Sequence, residues 1–338
     1  MVTPIIKANQ GKKIKSFYTL TDYNKWKNKG KNNKWNIKYY KGLGTSTSNE
    51  AKDYFRDLKV NQYITNEDTD GSMTLAFKKT EADQRKGWLK TYKEEEILDY
   101  NCTETKITDF INREFKHFSN SDNMRSIGSC IDGLKVSQRK ILFSCLKRKL
   151  YKEIRVAQLS GYVSEQAAYH HGEASLQGAI IGMAQNFVGA NNINLLQPNG
   201  QFGTRIMGGN DSASARYIHT QLNPIVDTIF PQSDLPLLEY INDDGLMVEP
   251  KWYCPILPMV LVNGMIGIGT GFSTKIPQYD PLDCTNNIKR KMSGLPYLSM
   301  KPYYRGFKGR VVKVDEKGIS KFITKGKYHI EDDKVIIT

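Results

Sequence analysis

Apolar and polar positions along the chain change their period as it proceeds. Residues 1 to about 60 set short β-prone runs (Thr3 to Ile6, Lys15 to Leu20, Trp35 to Tyr40) between Lys, Asn and Gly, which predicts strands joined by turns. A helix is expected from Ser48, just after Gly42-Leu-Gly44-Thr-Ser. Residues 81 to 116 read as helical and strongly charged, and Ser119-Asn-Ser-Asp-Asn123 reads as a polar break. Val136 to Leu150 then places Ile141, Leu142, Cys145 and Leu146 on one helical face with Lys and Arg on the other. A second helical run, Ser164 to Val188, encloses Tyr169-His-His-Gly172, and a Gly-rich loop from 200 to 210 precedes Ser212 to Tyr217. Pro255 to Gly271 is apolar, strand-like and ends in glycines, and Gly309 to Val314 alternates like an exposed strand.

This order predicts the end of an α/β unit followed by an α+β unit, in which two helices, loops and short strands suit a winged helix. The α/β unit begins abruptly, so the chain is expected to be a fragment of something longer. At 338 residues with 25% charged and 39% hydrophobic positions, it has the composition of a packed protein of two or three domains. No apolar run approaches the roughly 18 residues of a membrane span, and MVTPIIKANQGKK lacks the apolar core of a signal peptide. The five cysteines, at 102, 130, 145, 254 and 284, form no C-x-x-C pair and are odd in number, which fits a reducing, intracellular compartment.

Charge narrows the picture further. The formal net charge is +14, and residues 1 to 60 carry thirteen Lys and one Arg against four acids. Such a field attracts a polyanion, nucleic acid being the commonest, although a solvated Lys-rich surface explains it equally.

Chemistry enters with Ala213-Ser-Ala-Arg-Tyr-Ile218. A phenol is a weak nucleophile at neutral pH, so a neighbouring cation such as Arg216 would be needed to activate Tyr217 or to stabilise a phosphorane that it forms. An Arg-Tyr pair is common in itself, and 19 tyrosines are present. Its context is more telling. The runs Lys38 to Ser46 (KYYKGLGTS), Ser126 to Lys140 (SIGSCIDGLKVSQRK), Tyr169 to Glu173 (YHHGE), Leu196 to Arg205 (LQPNGQFGTR), Ala215 to Ile218 and Asn263 to Phe272 (NGMIGIGTGF) together resemble, in order and spacing, eukaryotic-type DNA topoisomerase II, a type IIA topoisomerase.

The resemblance implies an α/β plus α+β multidomain fold: the C-terminal part of a TOPRIM domain over 1–100, a winged-helix domain over 101–250, and the start of a tower domain over 251–338. It implies ATP-dependent passage of one DNA duplex through a transient double-strand break, with Tyr217 joined to the 5′ phosphate and Arg216 beside it. By the same resemblance Arg139 is a cation on the scissile phosphate, and Lys41, Lys135, Lys140, His170, His171 and Arg205 are DNA contacts. Ile268 is implied to wedge between base pairs and bend the duplex. Double-stranded DNA and a second copy of the chain are the implied partners. Mg²⁺ and ATP are the implied cofactors, with their ligands expected upstream of residue 1. The nucleus is the implied location, or a cytoplasmic replication site if the source is a large DNA virus.

Each residue also has a plainer explanation. Arg139 and Lys140 could line a solvated helix face, Arg205 could stabilise a loop, and His170 and His171, adjacent on a helix, do not converge on one metal. Glycines 267, 269 and 271 match neither G-x-G-x-x-G nor a P-loop. Glu67, Asp68 and Asp70 fall where the resemblance implies a spacer. A non-catalytic architectural DNA-binding module remains the alternative, and it would make Tyr217 dispensable.

Overall fold

The computed structural model describes residues 1–30, 34–40, 42–100, 102–243, 245–316 and 319–337. The chain divides into two compact units, 1–121 and 122–338.

In the first unit, Ile6–Gln10 is the central strand of a three-stranded antiparallel sheet, between Lys13–Phe17 and Asn36–Tyr39. Its inward residues Ile6 and Ala8 are fully buried, and Phe17 and Tyr23 complete a small core. The helix Ser48–Arg56 starts with a capping box: Thr47 accepts from the Glu50 backbone N–H, and the Glu50 carboxylate accepts from Thr47 N–H at 2.8 Å. Glu50 also accepts from Lys38 at 3.0 Å and from the Tyr40 hydroxyl. A short parallel pair, Gln62–Ile64 with Glu104–Lys106, leads towards a helical stretch.

The second unit is built on three helices, Val136–Arg148, Val156–Gln166 and Glu173–Ala184. Ile141, Leu142, Leu159, Val163, Leu176 and Ile180 are completely buried between them. The apolar stripe expected on Val136–Leu150 therefore faces the core, as a 3.6-residue period requires. Antiparallel hairpins follow: Tyr240–Asp243 with Leu246–Pro250, Met265–Ile268 with Ser273–Ile276, and Arg310–Glu316 with Ile319–Lys325. No helix among the described residues is long and apolar enough to cross a membrane.

Four local expectations are corrected, the first being 81 to 116, which is helical over Ala82–Lys90 and again from Ile107 with the strand Glu104–Lys106 between. Ser119 to Asn123 lies inside the helix Lys116–Ser126 instead of breaking it. Ser119 is fully buried there, and Asn123 Nδ2 donates to the Thr270 carbonyl at 2.9 Å, so tertiary contacts outweigh weak helix propensity. The run from Ser164 to Val188 is not one helix: it is broken between Gln166 and Glu173, where Ala168 takes a left-handed φ of 47°. The apolar run from Pro255 to Gly271 divides into a short helix, Met259–Val262, and the strand Met265–Ile268.

Candidate active site and DNA-facing surface

Tyr217 sits on a turn whose backbone is fastened on both sides. Its N–H donates to Ser214 O at 2.9 Å. The flanking Ala215 and Ile218 are 6% and 2% exposed, and their carbonyls accept from Ala157 N and Val156 N, both at 3.0 Å, at the start of the helix Val156–Gln166. His219 and Thr220 then pair as a strand with Ile154 and Arg155. Buried residues on either side force the two between them outward. Arg216 is exposed, its guanidinium lies 5.7 Å from the Tyr217 ring centre, and Tyr217 is 71% exposed. The phenol is thus held on a rigid backbone and open to a large reactant, as a side chain that attacks a polymer must be.

The loop 203–210 before this turn is shaped by its acid and amide partners. Asp211 accepts from both Thr204 N and Thr204 Oγ1, at 2.7 and 2.8 Å, and the Thr204 backbone donor holds its carboxyl below the usual range. Gln185 Nε2 donates to Phe202 O at 2.9 Å. The loop presents an exposed Arg205 and an almost fully exposed Ile206 beside it.

Arg139 is placed differently from the expected phosphate cation. It is 6% exposed, its Nε and Nη2 bind the fully buried Asp132 carboxylate at 2.8 and 3.1 Å, and Nη2 also reaches Leu134 O. Asp132 further accepts from Leu134 N and from Tyr253 N, 121 residues along the chain. Arg139 Nε and Nη2 are thus both engaged inside the core. Lys140 is also engaged within the protein: its ammonium binds the 2% exposed Glu249 at 2.8 Å and the Ala167 carbonyl at 2.6 Å. Both cations join the helix Val136–Arg148 to the segment that ends at Tyr253.

The other candidates fare variously. Lys135, just ahead of that helix, is half-buried and lines a cavity of about 1000 Å³. His170 and His171 are exposed in the inter-helix break rather than on a helix; His170 Nε2 is 3.6 Å from Asp243, and His171 lies edge-on to Tyr169. Ile268 is 78% exposed on its hairpin. Lys41 lies outside the described residues. Sequence reasoning missed Asp132, Glu249 and Asp211, the acids that position the site. Only Asp132 left a signal, as an acid seven residues ahead of Arg139.

No group of three or more His, Cys, Asp or Glu among the described residues could hold a metal ion.

Two family models divide the chain much as the structure does. Residues 1–123 match the C-terminal associated domain of TOPRIM, and residues 125–338 match the DNA gyrase/topoisomerase IV A-subunit model. The chain is 50% identical over 343 residues to DNA topoisomerase 2 of Arabidopsis thaliana, covering 99% of the chain and 23% of that protein. It is 48% identical over 352 residues to DNA topoisomerase 2-alpha of Homo sapiens, again covering 99% and 23%. The crystal structure of the Plasmodium falciparum topoisomerase II DNA-binding, cleavage and re-ligation domain superposes with a TM-score of 0.83 at 45% identity, covering 99% of this chain and 46% of that one. The chain thus spans about a quarter of the length of the curated relatives it matches. With a family model over residues 125–338, it belongs to the DNA gyrase/topoisomerase IV A-subunit family of type IIA topoisomerases.

Proposed function

We propose that this chain is the breakage and rejoining part of an ATP-dependent type IIA DNA topoisomerase, with Tyr217 as its nucleophile. The observation that carries the reading is the exposed phenol on a turn clamped between buried Ala215 and Ile218, with the Arg216 guanidinium beside it. The Tyr217 oxygen attacks a backbone phosphorus, the bond to the 3′ oxygen breaks, and that oxygen leaves with a proton. The 5′ end stays on the protein as a phosphotyrosine, and resealing is the reverse attack by the 3′ hydroxyl. Because the phosphodiester is exchanged for a phosphotyrosine, no ligase cofactor is required. On this reading Arg216 and Arg205, both exposed, meet the negative charge of the transferring phosphate.

The same reading assigns residues 1–100 to the C-terminal part of a TOPRIM domain, 101–250 to a winged-helix part and 251–338 to the start of a tower, with Lys135, His170 and His171 along the DNA and Ile268 as its wedge. It assigns Mg²⁺ and ATP to the longer protein, a second copy to the second strand, and the nucleus as the place of work. The test is covalent attachment: the full-length protein is incubated with supercoiled DNA and Mg²⁺, denatured with detergent, and assayed for protein on 5′ ends. Wild type is expected to attach and Tyr217→Phe to fail while still binding DNA. Attachment that survives Tyr217→Phe would remove the assignment, and tight binding with no attachment by either protein would leave an architectural module.

A further inference from the structure

The hairpin that carries Ile268 presents more than one apolar side chain. Its antiparallel register sets Ile266 opposite Lys275 and Ile268 opposite Ser273. Side chains alternate across a strand, and directly paired residues share a face. Met265 and Gly267 accordingly turn inward, while Ile266 and Ile268 are 64% and 78% exposed, with exposed Lys275 and Ser273 next to them. Ile266 and Ile268 therefore form a two-residue apolar edge flanked by a cation and a hydroxyl.

The back of this hairpin cannot retreat. A Cβ on Gly267 would come within 2.6 Å of the Ser126 carbonyl, and one on Gly269 within 2.1 Å of Asn123 Oδ1, so the strand lies directly against the end of the helix Lys116–Ser126. Asn123 also ties down Thr270. The two isoleucines thus stand on a strand backed directly by the end of that helix.

The surroundings point to a duplex as the occupant of this face. Ile266 and Lys275 line the same cavity of about 1000 Å³ as Lys135, and the one acid among the described lining residues, Asp132, is consumed by Arg139. No carboxylate among the described residues holds Lys135 or Lys275. An exposed apolar edge beside uncompensated cations fits the minor groove, where apolar wedges unstack base steps while cations meet the phosphates. Residues i and i+2 of a strand stand about 6.8 Å apart, close to twice the ~3.4 Å rise between stacked base pairs.

We infer that Ile266 is a second DNA wedge, acting about two base pairs from Ile268, with Lys275 on an adjoining phosphate. The inference rests on the reading of this chain as a DNA-cleaving core in which Ile268 is a wedge. Its test uses the full-length protein and a short duplex whose single cleavage position has been mapped by Tyr217 attachment. In separate duplexes, 2-aminopurine is placed at each base around the centre, and its fluorescence reports unstacking on binding.

Wild type is expected to brighten the probe at two steps. Ile268→Ala should reduce one signal, Ile266→Ala the other, each by at least about twofold, and Ile266→Val should keep most of the second signal. Lys275→Ala should weaken binding and reduce the log-log salt slope by about one. Unchanged unstacking in Ile266→Ala, while Ile268→Ala loses its signal, overturns the second wedge and leaves the first. No signal change in Ile268→Ala, or no duplex binding by wild type, overturns the underlying reading and the second wedge with it. A thermal melt of each variant matching wild type keeps a lost signal from being ascribed to misfolding.

Discussion

Replacing Asp132 with alanine separates a buried positioning role for Arg139 from a catalytic one. The Asp132 carboxylate is fully buried and accepts four hydrogen bonds: two from Arg139, one from Leu134 N and one from Tyr253 N. Alanine leaves a guanidinium that is 6% exposed with a single carbonyl partner, Leu134 O, and strips two backbone N–H groups of theirs. Breaking one side of a buried ion pair costs about 3–5 kcal/mol, because the remaining charge stays desolvated. Against a whole-domain stability of about 5–15 kcal/mol, that is a large share. Arg139→Lys is the milder companion: one ammonium can restore part of the pairing, so the loss should be about 1–3 kcal/mol, the scale of a hydrogen bond to a charged group. Chemical denaturation supplies both numbers, and 5′ attachment measured well below the unfolding transition supplies the chemistry. The expected result is a large stability loss in Asp132→Ala, with activity lost in proportion to the protein unfolded. Full stability in Arg139→Lys combined with a hundredfold or greater loss of attachment would refute the positioning role and return Arg139 to the scissile phosphate.

Further outcomes follow from other contacts. Burial alone would raise the Glu50 carboxyl, but the Thr47 N–H, the Tyr40 hydroxyl and the Lys38 ammonium outweigh it and pull it down to about 2. Its folded pKa is depressed, so its stabilisation is fully present above about pH 4.5 and disappears as pH falls towards 2; acid titration of wild type against Glu50→Gln should diverge across that window. Gly203 has a φ of 96°, and a Cβ there would stand 2.6 Å from Gly209 Cα. Gly203→Ala should therefore distort the loop before Tyr217, cost about 1–3 kcal/mol on denaturation and slow attachment; wild-type rates would contradict this. Burial pushes the Cys145 thiol up to about 12 and Cys284 is 2% exposed, whereas Cys130 and Cys254 are exposed. A thiol reagent should label the latter two in the native protein, and the former two only after unfolding, as peptide mapping of labelled protein would reveal.

What could be read from the sequence was what short-range pattern determines. The stripe of Ile141, Leu142 and Cys145 is a one-helix pattern and lies in the core as expected. The alternation in Met265–Ile268 sets which residues face outward once the strand is recognised, although the apolar run around it concealed a helical turn at Met259–Val262. What could not be read depended on partners far away in sequence. Nothing local distinguishes Arg139 and Lys140 from a solvated basic face; Arg139 is buried and Lys140 half-buried because Asp132, itself held by Tyr253 N, and Glu249 take up their charges. The helix through Ser119 to Asn123 likewise depends on Thr270, 147 residues further on. The helical pattern of Ser164 to Val188 runs through the histidine pair, whereas Ala168 turns left-handed one residue before Tyr169.

These buried pairs have a mechanical consequence for the reaction proposed. A protein that holds a broken DNA end must keep the phosphotyrosine aligned with the 3′ hydroxyl until the reverse attack, and misplacement of about an ångström can cost a hundredfold in rate. Exposed cations on long side chains cannot supply such stiffness, because each retains rotamer freedom. Arg139 and Lys140, locked to Asp132 and Glu249, fix the helix Val136–Arg148 to the segment ending at Tyr253, and that helix packs in one core with Ala215 and Ile218 on either side of Tyr217. Arg205 and Arg216 remain exposed and able to follow the phosphate. Arg139 and Lys140 thus hold the frame, the cations around Tyr217 are on the proposed reading the ones that meet the substrate, and substitutions in the two sets should separate into losses of stability and losses of attachment rate.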